Sequence, residues 1–180
     1  MMADPKNLKL EEDIIGYKAA FIIVKDKDLP TYYWTKPVII KLKIPKGAYA
    51  TPGYFNPFSA FTSFQSYPYR KRRCSMAIVQ EIWSYKMKYQ YKKAIGHSVW
   101  DVDFVYSVGS VVDPKNGFSF NVDEPCASGI HFFDTIEEVQ HYISDHYVGL
   151  CQMQSILKCL YEKDKQLRKE PYNEMIVNHI

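Results

Sequence analysis

The sequence contains no long apolar run, no cysteine pair and no repeat, and each absence excludes a class of protein. No apolar segment approaches the roughly 18 residues of a membrane-spanning helix, so we expect no membrane span. Residues 1–13 are polar and acidic where a secretory signal would be apolar. None of the four cysteines lies in a C-x-x-C pair, which favours an intracellular protein with reduced thiols.

The composition is that of a globular domain rich in aromatic residues. A chain of 180 residues is long enough for one domain with its own core. The 15 Tyr, 10 Phe and 3 Trp residues are numerous, and large rings are common in cores and at interfaces. The net charge of +3 permits contact with an acidic surface but does not indicate a dedicated nucleic-acid binder.

Strand-like segments fill most of the chain before residue 134. In residues 38–45, Ile40, Leu42 and Ile44 alternate with lysines, the period of two that is typical of a strand with one buried face. A turn-rich link over residues 26–37 precedes this strand. Further strands are predicted at residues 14–25, 74–83, 103–112 and 129–133, with an exposed arm at 84–94.

Two helices are predicted after the strands. Thr135 and Glu138 form a capping box, and Ile136, Val139 and Ile143 then give one apolar stripe. A second helix is predicted over residues 148–169. Strands first and helices last predict an α+β fold, with a mainly antiparallel sheet of about six short strands followed by two C-terminal helices. The expected organisation is a flexible N-terminus (1–13), a single α+β domain (14–147) and a C-terminal helix with an apolar tail (148–180).

An aromatic loop at residues 46–69 is the most unusual segment. Its rings recur at every third position among prolines, which is typical of polyproline II or a 3₁₀ turn. Four cations follow at once. Either the rings lie over the domain's own sheet, or they fill the groove of a partner. The predicted interaction residues are Phe55, Phe58, Phe61, Phe64, Tyr67, Arg70, Lys71, Arg72 and Arg73.

Cys126 and His131 are the candidate reactive pair, because an imidazole can activate a thiol. No third orienting group is visible, and the alternative is that both side chains pack against the sheet. Tyr17 is a further weak catalytic candidate. A zinc site would need His141 and His146 as well, but their spacing on the polar side of a helix favours solvated side chains. We therefore expect no metal and no cofactor.

Five segments occur in an order that resembles a known family. They are "GYKA" (16–19), "IIKLKIP" (39–45), "RKRRC" (70–74), "FVYSVGSVVDP" (104–114) and "CASGIHFF" (126–133). Together they resemble a domain of unknown function found in bacteria and large DNA viruses, often fused to pentapeptide repeats. The sequence here is similar to the stand-alone form, and the aromatic loop looks inserted relative to that family. The motif residues are Gly16, Tyr17, Lys18, Cys126, Gly129, His131, Phe132 and Phe133.

This resemblance covers about residues 14–146 and implies no reaction. It implies an intracellular context, which for a viral member means host cytoplasm or virion. A protein partner or a homo-oligomer is the expected binding partner. The function favoured on these grounds is a non-enzymatic interaction or assembly module, a component of a large-DNA-virus complex.

A second resemblance concerns the strand "GIHFF" and the following helix, which carries Tyr142. They are similar to a strand and helix of poly-ADP-ribose-polymerase-like transferases. His131 stands where those enzymes have a tyrosine, and Tyr17 or Lys18 stands where they have an early histidine. Two of three expected catalytic roles are thereby missing. The resemblance implies a nucleotide (NAD) cleft between two halves of the sheet, lined by Tyr17, Lys18, His131, Phe133 and Tyr142.

Contact with RNA or DNA through Arg70–Arg73 is a third hypothesis. Arginines contact phosphates and neighbouring rings can stack on bases. The cluster is small, however, and the alternative is that its side chains alternate between two faces of a strand edge, with one or two pairing with carboxylates.

Overall fold

A computed structural model describes residues 2–25, 33–53, 70–96, 104–124 and 126–146, together with Lys158 and Glu162. These residues form an α+β fold with a six-stranded antiparallel sheet, a two-stranded sheet and one helix at each end. Within this part of the chain no helix is long and apolar enough to cross a membrane. The elements are α1 (Pro5–Leu8), β1 (Ile14–Lys25), β2 (Tyr33–Ile44), β3 (Arg72–Cys74), β4 (Ala77–Ser84), β5 (Lys93–Gly96), β6 (Val105–Ser107), β7 (Val111–Val112), β8 (Ile130–Phe132) and α2 (Ile136–His146).

The larger sheet closes on itself. Its strand order is β6-β5-β1-β2-β4-β7, so β6 and β7 lie at opposite edges although only residues 108–110 join them. Ser107 and Val111 are four residues apart in the chain, which spans about 14 Å at most, so the two edges lie close together. The amide of Val108 donates to the Lys92 carbonyl (2.9 Å), and the amide of Gly109 donates to the Val79 carbonyl (2.7 Å). The sheet is therefore a small barrel.

Alternation along β1 and β2 separates the inside of the barrel from the outside. Ile40, Leu42 and Ile44 are buried in the interior, as the sequence predicted, and Lys41 and Lys43 point outward. Successive side chains of a strand point to opposite faces, so one face of each strand fills the barrel. The other face carries a second apolar cluster beneath α2.

Several strand boundaries differ from the sequence prediction. The predicted strand 103–112 is divided into β6 and β7, and β5 overlaps the end of the predicted arm 84–94. Residues 74–83 form two strands in different sheets, β3 and β4, rather than one. β2 begins at Tyr33, inside the predicted link, and contains Pro37. Pro37 lacks an N–H, but its nitrogen faces the β4 side, where pairing stops at Val38 opposite Ser84. A ladder hydrogen bond is therefore not required at this position.

The N-terminal residues, for which a flexible segment is predicted, contact the barrel at several points. The Asp4 side chain accepts a hydrogen bond from the Lys6 amide and caps α1 (2.9 Å). Leu8 is buried, and the Leu10 amide donates to the Ala48 carbonyl (2.8 Å). Burial of one leucine and these backbone bonds hold the segment in place.

Helix α2 begins with the predicted capping box. The Thr135 amide donates to the Glu138 carboxylate (3.1 Å), and the Glu138 amide donates to the Thr135 hydroxyl (3.2 Å). Val139 and Ile143 are buried against Ile39 on the outer face of the barrel. The helix thus covers the outer face of β1 and β2.

Three predicted segments lie outside the described residues. They are the aromatic part of the loop (54–69), most of the second helix, and the apolar tail. Lys158 and Glu162 are both helical, which agrees with the second helix but does not define it. The count of two C-terminal helices therefore stays a prediction.

Gly16 provides a test of how β8 packs across β1. A Cβ on Gly16 would overlap the Phe132 ring and stand 3.1 Å from Ile44 Cδ1. Gly16→Ala is therefore expected to lower the free energy of unfolding by about 1–3 kcal/mol, the usual cost of overpacking. Urea denaturation measures this loss. In a double-mutant cycle, the added cost should shrink when Phe132→Leu is present, and an unchanged cost would exclude the ring as the cause.

Candidate functional site

Strand β1 changes its neighbour halfway along, and a cleft opens at that point. Near the start of β1, Tyr17 exchanges two backbone hydrogen bonds with Phe133, which follows β8 (2.8 and 2.7 Å). Further along, Ala20 and Phe21 pair with β5 instead. The two neighbours leave β1 on either side of Lys18 and Ala19, which line a cavity of about 710 Å³.

The lining of this cleft has a marked chemical bias. Among the described residues it includes three lysines, one histidine, four aromatic residues and one cysteine, but no aspartate or glutamate. With a neutral imidazole, the formal charge of this lining is +3. Clefts with charge of one sign focus the electric field and concentrate oppositely charged ligands. The lysines, histidine, aromatic residues and cysteine of the lining are Lys18, Lys71, Lys115, His131, Phe104, Tyr106, Phe133, Tyr142 and Cys126.

Lys18 connects the two walls of the cleft. Lys18 is only 6% exposed to solvent. Its Nζ donates to the His131 carbonyl on one wall (3.3 Å) and lies 5.6 Å from the centre of the Tyr106 ring on the other. Lysine is rarely buried to this extent, because its charge must be solvated by the protein. This burial makes Lys18 the strongest single candidate for a binding residue.

Lys71 and Cys126 meet at the cleft, 55 residues apart in sequence. Lys71 lies directly before β3, and its Nζ is 3.9 Å from the Cys126 sulfur. Cys126 is exposed, and both residues line the cleft. The contact places an accessible thiol beside an ammonium group, in a site with two further lysines.

Aromatic pairs form part of both walls. Phe104 and Tyr106 have ring centres 5.0 Å apart, and Phe133 and Tyr142 are also 5.0 Å apart. Tyr106 and Phe133 are buried, whereas Phe104 and Tyr142 are half-buried. The Lys115 Nζ lies 5.9 Å from the centre of the Phe104 ring. Each wall therefore presents one partly accessible ring.

Four of the five residues predicted to line a nucleotide cleft do so. Lys18, His131, Phe133 and Tyr142 are in the lining. Tyr17 is not in the lining; it packs with the cluster beneath α2. Cys126 and His131 share the cleft, so the fold brings this candidate reactive pair to one site.

The basic run is divided among several roles. Arg72 donates to the Thr51 carbonyl and to the Asp134 carboxylate (2.8 and 2.7 Å). Arg73 is buried, and Lys71 faces the cleft. Arg70 is exposed. This arrangement matches the alternative prediction, in which the side chains of the run alternate between two faces of a strand edge. Fewer of the four cations are then available on one surface for contact with RNA or DNA.

Sequence reasoning missed Phe104, Tyr106 and Lys115 as site residues. Phe104 and Tyr106 lie inside the quoted segment 104–114, and Lys115 follows it directly. The sequence pattern places Phe104 and Tyr106 on the same face of a strand, but nothing in the sequence indicates that β6 faces β8. The cleft lining is a tertiary property of the closed barrel.

The described residues contain no group of three histidine, cysteine, aspartate or glutamate side chains placed to hold a metal ion. His141 is half-buried on α2, and the side chain of His146 is not among those that the structure describes. The described cleft lining also lacks a carboxylate that would correspond to the late glutamate of the transferases.

A family model described as a family of unknown function, DUF5758, matches residues 5–139. This match confirms the predicted resemblance to a domain of unknown function; it begins at residue 5 instead of 14 and ends at residue 139 instead of 146. The viral context and the fusions to repeats remain implications of the resemblance. No curated protein and no solved structure matches the chain significantly.

The two described cysteines should differ sharply in reactivity. Cys74 is fully buried, and burial raises the pKa of its thiol to about 12, whereas Cys126 is exposed. Since the thiolate is the nucleophile, only Cys126 should react quickly with a disulfide reagent such as DTNB. The measurement uses a Cys151→Ser/Cys159→Ser background, so that two thiols remain.

One thiol equivalent should be released rapidly from the native protein, and the second only after denaturation. The control variant Cys126→Ser should lose the rapid phase. Rapid release of two equivalents from the native protein would contradict the buried position of Cys74.

Proposed function

We propose that the cleft at β1 of this chain binds a small anionic ligand with an aromatic ring. The chain belongs to DUF5758, a family of unknown function. A nucleotide is the ligand class that combines these features. The observation that supports the proposal is the cluster of Lys18, Lys71 and Lys115 in a described lining without carboxylates.

The three lysines contribute unequally. Two unit charges 4 Å apart interact by about 4 kcal/mol at an effective dielectric constant of 20, and by about 1 kcal/mol in bulk water. Lys18 is buried, so its attraction for an anion is weakly screened. Lys115 is exposed, and salt reduces its contribution more strongly. Lys18 is therefore the main electrostatic contact in this proposal.

The aromatic part of the ligand has surfaces available to it. Phe104 and Tyr142 are half-buried, so each has ring surface that a flat ligand can contact. Stacking of a base on an aromatic side chain contributes about 1–3 kcal/mol. The cavity volume of about 710 Å³ lies within the range of roughly 300–1,000 Å³ that is usual for small-molecule sites.

The proposal concerns binding and not catalysis. The position of the cleft agrees with the nucleotide (NAD) hypothesis drawn from the transferase resemblance. Two of the three catalytic roles of those enzymes have no counterpart at the matching positions. NAD is therefore one test ligand among several, and the chain is proposed as a binding domain.

Calorimetric titration with ADP, NAD and adenosine tests the proposal. ADP and NAD should bind, and adenosine, which lacks phosphate, should bind at least about tenfold more weakly, a difference of about 1.4 kcal/mol. Lys18→Gln should reduce ADP affinity by about tenfold or more. Lys43→Gln is the matched control, because Lys43 lies on the outer face of β2 beside Asp13 and loses the same charge.

Raising the salt concentration should weaken ADP binding to the wild-type protein. Equal affinity for ADP and adenosine, or an unchanged affinity in Lys18→Gln, would overturn the proposal. Loss of binding in both Lys43→Gln and Lys18→Gln would attribute the effect to net charge and not to the cleft.

The assembly-module function is a second candidate, favoured by the ends of the aromatic loop. A Cβ on Gly53 would stand 3.4 Å from Arg70 Cβ and 3.3 Å from Arg72 Cγ. Gly53 and Arg70, the described residues on either side of segment 54–69, therefore lie next to each other, which is the geometry expected at the two ends of an insertion. This supports the prediction that the loop was added to the domain for contact with a partner.

The second candidate predicts self-association or partner capture through the rings. Light scattering of the full chain should show a mass above that of one 21.1 kDa chain if the partner is another copy. Replacing Phe58, Phe61 and Phe64 by Ser should then restore the monomer. A monomeric wild-type chain would exclude the homo-oligomer and leave only a different protein as partner.

A further inference from the structure

Arg73 is a buried cation in a sequence run that predicts a basic surface. Its residue is only 2% exposed, although Arg70 in the same run is exposed. Burial lowers the pKa of the Arg73 guanidinium, but arginine remains charged in proteins. A buried charge is costly unless its donors are satisfied, so its hydrogen bonds indicate what it holds.

The guanidinium of Arg73 binds three backbone carbonyls of one irregular segment. Nη1 donates to the carbonyls of Ser119 (3.1 Å) and Ser128 (3.0 Å), and Nη2 donates to that of Asn121 (2.5 Å). Its Cζ also lies 5.8 Å from the centre of the Phe118 ring. One side chain thus connects both ends of the loop that precedes β8.

The segment held by Arg73 is a wall of the cleft. Residues 126–129 all line it. Gly129 packs directly on the arginine, because a Cβ there would stand 3.0 Å from Arg73 Cβ. Gly129 also has a φ of +155°, a backbone conformation that residues with a side chain rarely adopt. The position of this wall relative to β1 therefore depends on Arg73, which does not line the cleft itself.

We propose that Arg73 is a positioning residue, which holds the wall formed by residues 126–129 at the distance from Lys18 that ligand binding requires. This inference rests on the binding function proposed above. Lysine is not an equivalent replacement. Arg73 uses a planar group with several donors to reach three carbonyls, whereas an ammonium is a compact point charge.

The experiment compares Arg73→Lys with Arg70→Lys, a matched control in the same run at an exposed position. Arg73→Lys is expected to weaken ADP binding by about tenfold or more and to speed amide exchange in residues 117–129. Exchange in β1 and β2 should stay unchanged, because these strands are paired independently of the loop. Arg70→Lys should change neither quantity.

Localised exchange distinguishes positioning from a general loss of stability. A merely structural role would raise exchange throughout the barrel, as global unfolding does. Phe118→Leu is the second variant, because it removes the ring beside the guanidinium and leaves the arginine in place. Phe118→Leu should cause a smaller increase of amide exchange in residues 117–129 and a smaller loss of ADP affinity. If Arg73→Lys does not fold, this variant tests the proposal in its place.

Folded Arg73→Lys with wild-type ADP affinity would overturn the proposal, as would exchange that rises equally in β1 and in residues 117–129. If the wild-type protein binds neither ADP nor NAD, the proposed binding function fails by itself. Exchange in Arg73→Lys would then still show whether Arg73 holds the wall.

Discussion

The site depends on one constraint, the pair of backbone hydrogen bonds between Tyr17 and Phe133. These bonds attach β8 to the first half of β1, while β5 occupies the second half. A strand edge has only one row of donors and acceptors, so two neighbours on it must separate somewhere. They separate at Lys18 and Ala19. The cleft follows from this change of partners and needs no additional element.

Two of the five family motifs in the sequence are parts of one structural unit. "RKRRC" and "CASGIHFF" pair as β3 and β8, with Arg73 opposite His131. Within this unit Arg72 and Arg73 contact backbone carbonyls, and Lys71 and Cys126 meet at the cleft. The basic run therefore serves the interior and the cleft more than an outer surface. The physical reason is that a strand sends successive side chains to opposite faces, so a run of cations cannot form one patch.

The accuracy of the sequence predictions varied with the range of the signal. The period of two in residues 38–45 and the capping box at Thr135 are local patterns, and both were confirmed. The predicted turn-rich link over residues 26–37 is wrong at its end, since β2 begins at Tyr33; Pro37 fits in β2 because β4 ends beside it, and that end cannot be read from the sequence. The prediction that Tyr17 lines the cleft is wrong, because the Tyr17 side chain packs with the cluster beneath α2.

The sequence by itself determined the strand-rich α+β class, the start of α2, the family and most motif residues of the site. Each of these is specified by spacing or order along the chain. Only the tertiary structure decided that the sheet closes through residues 108–110, that Phe104 and Lys115 join the cleft, and that Arg73 is buried. These features depend on pairings between residues far apart in the chain, and alternation fixes which face a side chain takes but not what lies opposite it.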